Sequence, residues 1–150
     1  MKPLEYSRGE FVVSPDPARL ELDTLHNFLT RCYWAEGISR EVVARSLDNS
    51  LCFGTFHGPH QIGFARVISD YATYAYLGDV FILDAYRGRG LAKFLMQRIR
   101  QHPQLQGLRR WTLATRDAHG LYTQFGFRPL IRPERFMEIH DPDVYRKAGG

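Results

Sequence analysis

The chain has 150 residues, 44% of them hydrophobic, and a formal net charge of +4, which is the size of one ordinary domain with a single real core over residues 1–150. No run approaches the roughly 18 apolar residues of a membrane helix, and the opening MKPLEYSRGE lacks an apolar h-region, so neither a membrane helix nor a secretory leader is expected and the protein is placed in the cytoplasm. Cys32 and Cys52 are too few and too unpatterned for a disulfide framework or a C-x-x-C site; they read as reduced core thiols, and no metal is expected.

Phe11-Val12-Val13 is a short apolar run closed by Ser14-Pro15-Asp16-Pro17, a first strand ending in a proline turn. Asp23 is placed to cap a helix carrying Leu25, Phe28 and Leu29 at helical spacing, and Ser39 to cap a second one through Val42. Between them the adjacent aromatics Tyr33 and Trp34 are either core plugs or pocket walls. Residues 51–57, 61–69 and 74–83 then read as three antiparallel strands, with Gly58-Pro59-His60 as the turn between the first two.

The last of these strands ends in Val80-Phe81-Ile82-Leu83, a pattern for burial on both faces. It runs through Arg87-Gly88-Arg89-Gly90 into an amphipathic helix with Leu91, Phe94, Leu95 and Ile99 on one face, which must stop at His102-Pro103. The turn therefore sits at a helix N-terminus, where free amides and the helix dipole favour a phosphate. Gly88 and Gly90 permit close approach and positive φ, while Arg87 and Arg89 add fork-shaped donors. Lys93 stands where a dinucleotide G-x-G-x-x-G needs glycine, and the G-K-[ST] of a Walker loop is absent.

Residues 110–115 form the next strand, parallel to 74–83 because a helix connects the two. Asp117 is a plausible cap for a short helix bearing Leu121, Tyr122 and Phe125, ended by Gly126. Residues 127–130 and 135–139 read as two closing strands, the first weakened by Pro129.

Arg87-Gly88-Arg89-Gly90-Leu91-Ala92 resembles the R-x-x-G-x-G/A signature of the GCN5-related N-acetyltransferases (GNAT), and Ala118 to Phe127 resembles that family's A-x-x-L-Y-x-x-x-G-F element. The resemblance covers nearly the whole chain, the first 50 residues only in outline. It implies an α/β fold with a mixed central sheet splayed between two parallel strands and flanked by helices. It further implies acetyl-CoA as co-substrate, with its pyrophosphate on Arg87 to Ala92 and its pantetheine arm on backbone groups of Phe81, Ile82 and Leu83. Direct transfer of the acetyl group to an amine of a small molecule or peptide would follow, in a ternary complex, with no nucleic acid and no membrane as partner.

Tyr122 stands at the position of the family's usual acid and is the candidate to hydrogen-bond the leaving sulfur. A primary amine, with a pKa of roughly 10.4, must also lose a proton before it attacks. Family members that acetylate polyamines read L-E-D where this chain has Leu77-Gly78-Asp79, so Gly78 replaces the glutamate. Asp79 is the remaining carboxylate; strand alternation points it to the opposite face unless a bulge re-aims it, and it is either catalytic or structural. His119, at i, i+3 from Tyr122, is either a proton relay or solvated surface, and water-mediated proton loss is a further route. Tyr33, Trp34, Tyr74 and Tyr76 are the candidates for the acceptor pocket.

Two readings from other classes stay open. One is a non-catalytic acyl-CoA binding or sensing domain, motivated by the missing glutamate. The other is a basic nucleic-acid-binding module, against which the dispersed basic residues count. The oligomeric state is open, a homodimer included.

Overall fold

A computed structural model describes residues 4–149. Six strands form one sheet in sequential order: β1 (Tyr6–Arg8), β2 (Phe11–Ser14), β3 (Leu51–His57), β4 (His60–Ser69), β5 (Tyr74–Ile82) and β6 (Arg110–Leu113). The first five are antiparallel to their neighbours, and β6 runs parallel to β5. The crossover between them is α3 (Leu91–Gln101), as a parallel pair requires. The mixed α/β architecture expected from the sequence is therefore present.

Helices α1 (Leu22–Leu29) and α2 (Arg40–Asp48) cover one face of the sheet. There Leu25, Leu29, Ile38 and Val43 pack on Cys52, Phe64 and Phe81. The other face carries α3, whose Phe94, Leu95, Met96 and Ile99 meet Val13, Phe53, Ala65, Val67, Ala75 and Leu77, with Tyr122 of the short α4 (His119–Thr123) in the same cluster. A last helix, α5 (Val144–Gly149), closes the described chain.

Several sequence expectations need correction. Phe11–Ser14 is the second strand, because Tyr6–Arg8 pairs with it through a tight turn at Gly9. Asp23 lies inside the first turn of α1, where its charge still complements the dipole, and Glu21 is the cap residue, its carboxylate accepting from the Thr24 hydroxyl at 2.8 Å and from no backbone amide of the helix. Ser39 does cap α2, its hydroxyl accepting from the Val42 amide at 3.2 Å. Ala118, not Asp117, occupies the cap position of α4. His60 belongs to β4, leaving Gly58-Pro59 as the whole hairpin loop. The two closing strands do not form: 127–130 is irregular, Pro133–Arg135 is a 3-10 turn, and 136–140 has no regular secondary structure and no strand partner. A strand needs a neighbour for its backbone groups, and within the described residues these segments have none.

Two features of β5 shape the site. It pairs with β6 only from Tyr74 to Leu77, so the strands part company beyond Gly78. On its other side, Phe64 faces Phe81 and Arg66 faces Gly78, which leaves Asp79 and Val80 opposite the single residue Ala65. That is a β-bulge, and Asp79 takes a left-handed φ of 55° in it, a conformation aspartate tolerates better than most residues.

Candidate active site

Where β5 and β6 diverge, a cavity of about 840 Å³ opens. Its floor is Val80, Phe81 and Ile82, one end is the turn Arg87, Gly88 and Gly90 with the first turn of α3, and the other end holds Ala118, Leu121 and Tyr122. Phe28 of α1, Cys32, Tyr33 and Trp34 form the roof, so the aromatic pair lies at a pocket wall and not in the core.

The turn has the form of an anion cradle. Gly88 and Gly90 both lie in the left-handed region, with φ of 79° and 74°, and no atom lies within 4 Å of where a Cβ on Gly88 would stand. Gly90 is the cap of α3 and offers no side chain to the helix; the first bond within the helix is Phe94 N–H to the Gly90 carbonyl. The amides of Leu91, Ala92 and Lys93 are thus left pointing outward for an acceptor. Arg87 donates from Nε to the Ile82 carbonyl at 3.3 Å and pairs with Asp84 at 3.1 Å, while Arg89 lies 5.4 Å from the Tyr86 ring centroid and is outside the cavity lining.

Backbone alternation decides which strand groups face the gap. Leu83 donates its N–H to Ile62 at 2.8 Å and its carbonyl accepts from Tyr86 at 2.9 Å, so its amide is already engaged within the fold. The intervening Ile82 turns its carbonyl away from β4 toward Arg87, and its amide faces the gap with it.

Tyr122 is buried and lines the cavity. Among the described residues its hydroxyl has no hydrogen-bond partner, and burial, reinforced by Tyr33 and Asp117, pushes its pKa up to about 12. It is a phenol that keeps its proton.

The bulge re-aims Asp79. Its carboxylate turns to the face of Gly78 and Arg66, where Oδ2 accepts from Arg66 Nε at 2.8 Å and Oδ1 from Trp34 Nε1 at 2.8 Å. The side chains of Asp79 and Arg66 are only 13% and 18% exposed, and Arg66 also donates to Ser50 Oγ at 3.2 Å. Both carboxylate oxygens are therefore engaged, one of them holding a wall of the cavity. Tyr76 lies beside this group: its ring stands 3.1 Å from the position a Cβ on Gly78 would take, and burial followed by Asp79 raises its pKa. Tyr74 is bonded to Thr112 on β6. Neither Tyr74 nor Tyr76 reaches the cavity lining, and His119 is exposed outside it.

Three residues at the site escaped sequence reasoning. Arg8 of β1 donates to the Gly90 carbonyl at 3.5 Å, adding a cation beside the cradle; Gly9, with φ of 59°, was the available hairpin signal. Arg116 stacks 3.9 Å over the Tyr33 ring and donates its amide to the Tyr33 hydroxyl at 3.3 Å. Phe28 stacks on Phe81 at 3.8 Å. Neither of the last two has a local sequence signature.

Residues 20–127 match the Acetyltransferase (GNAT) family. The chain belongs to the GNAT acetyltransferase family. A crystal structure from Xanthomonas campestris pv. campestris, assigned to the GNAT family, is 48% identical, covers 97% of this chain and 99% of its own, and superposes with a TM-score of 0.88. A protein of Gibberella zeae named as a candidate acetyltransferase is 32% identical over 144 residues, 81% of this chain and 80% of its own length. A Clostridium acetobutylicum acetyltransferase solved with acetyl-CoA shares the fold at 15% identity, with a TM-score of 0.63 over 87% of this chain and 94% of that one.

Proposed function

We propose that this GNAT protein is an acetyl-CoA-dependent N-acetyltransferase that passes the acetyl group directly to an amine of a small molecule or peptide within a ternary complex, residues 1–150 acting as one catalytic domain. The observation that carries this reading is the single cavity that joins the glycine-arginine cradle to Tyr122 along the open edge of β5. A diphosphate fits the uncapped amides of Leu91 and Ala92, with Gly88 and Gly90 allowing close approach and Arg87, Arg89 and Arg8 supplying charge. The amide of Ile82, next to Phe81, suits a carbonyl of an extended pantetheine arm.

Acetyl-CoA brings an activated thioester carbon; the protein orients it against the amine, which accounts for most of the rate in a direct transfer. The amine nitrogen bonds to the carbonyl carbon, the carbon–sulfur bond breaks, and the amine proton leaves to water. Tyr122 donates a hydrogen bond to the sulfur as it gains charge. It does not give up the proton: a phenol near 12 facing a thiol near roughly 8.5 makes that transfer uphill by about 5 kcal/mol. Backbone N–H groups of the β5 edge polarise the carbonyl.

In this reading Asp79 is a positioning residue for Trp34, because both of its oxygens are already bonded. Arg31 and Arg116 at the cavity disfavour a polyamine and suit an acceptor that also carries an anionic group. The test is thiol release from acetyl-CoA with a panel of amines, amino acids and peptides, with hydrolysis subtracted. Turnover on one class is expected. The engaged Asp79 and the absent glutamate at Gly78 favour a second reading, a non-catalytic acyl-CoA sensor; tight acetyl-CoA binding with no turnover across the panel selects it.

A further inference from the structure

The acceptor end of the active-site cavity holds charges that the transfer itself leaves unused. Arg31, just past α1, and Arg116 and Asp117, between β6 and α4, line it together with Tyr33 and Trp34. Asp79 is engaged with Arg66 and Trp34, and among the described lining residues Asp117 is the one carboxylate. Arg31 is exposed and forms no ion pair among the described residues. Arg116 reaches Asp117 only at 4.0 Å, with the two side chains 65% and 72% exposed. That contact is too long for a hydrogen bond and too solvated to satisfy either group.

The same residues are held in place. The Arg116 guanidinium lies 3.9 Å over the Tyr33 ring, and the Arg116 amide donates to the Tyr33 hydroxyl at 3.3 Å. Stacking occupies the face of the guanidinium and leaves its in-plane fork of N–H donors for a planar anion with two oxygens. Tyr33 packs edge-on against Trp34, ring centroids 5.1 Å apart, and Trp34 is fixed in turn by Asp79. The pair is thus anchored at both ends, yet its rings stay 50% and 41% exposed. Rigid apolar faces that open onto a cavity bind a ligand at little entropic cost. Asp117 and Tyr33 both act on the Tyr122 phenol, adding to the upward push that burial gives its pKa, so these charges stand within electrostatic reach of the reacting centre.

We propose that the acceptor is a free α-amino acid with an apolar or aromatic side chain. Its carboxylate lies on the Arg116 fork with Arg31 beside it, its ammonium group faces Asp117, and its side chain rests on the wall of Tyr33 and Trp34. The inference rests on the N-acetyltransferase reading above and names the substrate class of that same site. A cation and an anion on adjacent residues suit a ligand whose opposite charges flank the same carbon. A polyamine brings no anion for the two arginines, and a peptide N-terminus puts a neutral carbonyl where the carboxylate would lie. An ω-amino acid sets its two charges too far apart for neighbouring side chains. Asp117 orients the ammonium group; the amine then loses its proton to water and attacks as before.

Thiol release from acetyl-CoA tests this with matched acceptors: leucine and phenylalanine, the amide of each, and the amine left when each loses its carboxylate. The free amino acid should exceed both analogues in kcat/KM by at least about tenfold. Arg116→Gln should raise KM for the amino acid about tenfold with kcat held, bringing the ratio between amino acid and amine toward one. Arg31→Glu, at an exposed side chain whose replacement leaves the fold intact, should invert the preference in favour of the amine. Calorimetry of phenylalanine with the coenzyme A complex reads binding apart from turnover. An amine, amide or phosphorylated amine used as well as the amino acids overturns the inference and leaves the N-acetyltransferase reading standing. Saturable amino-acid binding that Arg31→Glu weakens, with no turnover on any amine, upholds the recognition and refutes the transfer. Neither binding nor turnover of amino acids overturns the inference, whatever other amine is acetylated.

Discussion

Replacing Asp79 with alanine should destabilise the protein through the ion pair it forms with Arg66. At 2.8 Å and an effective dielectric of about 20 the gross attraction is about 6 kcal/mol, largely offset by the desolvation of both ions. Removing one partner strands the other, and for a buried pair that costs about 3–5 kcal/mol; with 13% and 18% exposure the lower end applies. Alanine must also hold the left-handed φ of 55°, which adds about 1 kcal/mol, and Trp34 loses its acceptor, about another 1 kcal/mol. A total near 5 kcal/mol lowers Tm by roughly 10–20 °C in a domain of this size. Asp79→Asn tolerates the backbone and keeps an acceptor for Trp34, so its loss should be about half as large. Scanning calorimetry of both variants, with Arg66→Met/Asp79→Ala as the double mutant, reads these terms, and the double mutant should recover part of the loss. A fall of under about 2 °C for the alanine variant refutes the structural pairing. On activity, the asparagine variant should keep kcat within a few-fold and leave the pH profile in place. A drop of about a hundredfold or more, with loss of the acidic limb, would instead make Asp79 the base.

Tyr122→Phe should lower kcat about ten- to a thousandfold with acetyl-CoA affinity unchanged, as expected for a lost bond to the leaving group; undiminished turnover removes Tyr122 from the mechanism. Gly90→Val places a β-branched residue at φ 74° and should weaken acetyl-CoA binding at least tenfold by calorimetry; equal affinity rejects the cradle. Arg8→Ala should weaken the same affinity a few-fold, more at low salt than at high; a loss independent of salt would deny it an electrostatic role. Burial pushes the thiols of Cys32 and Cys52, like the phenol of Tyr122, up to about 12. The unfolded chain releases these protons at lower pH than the native one, so stability should fall as pH rises from roughly 9 toward 12. Denaturant titrations at pH 8 and 10 read the slope, and a rise in stability would reverse the assignment. Neither cysteine should react with a thiol reagent at pH 8 before unfolding.

The parts of the site that sequence alone determined are those written in consecutive residues. The cradle Arg87 to Ala92, the apolar strand before it, the face of α3 and the placement of Tyr122 depend on local periodicity, on glycine at positive φ and on a helix N-terminus. All of these are properties of a short stretch of chain. The same is true of Ser39 at the start of α2 and of the parallel crossover to β6, which chain connectivity imposes.

Tertiary structure decided whatever depended on which strand meets which. Asp79 pointed the wrong way by alternation until one extra residue opposite Ala65 turned it, and a bulge exists only relative to a partner strand. Its bonds to Arg66 and Trp34, the approach of Arg8 to Gly90 and the stacking of Arg116 on Tyr33 each join residues distant in sequence, so no local pattern encodes them. The closing strands failed for the converse reason. Residues 135–139 carry the alternation of a strand, but alternation states only what a segment can pair with, and whether a partner edge is within reach is set by the fold.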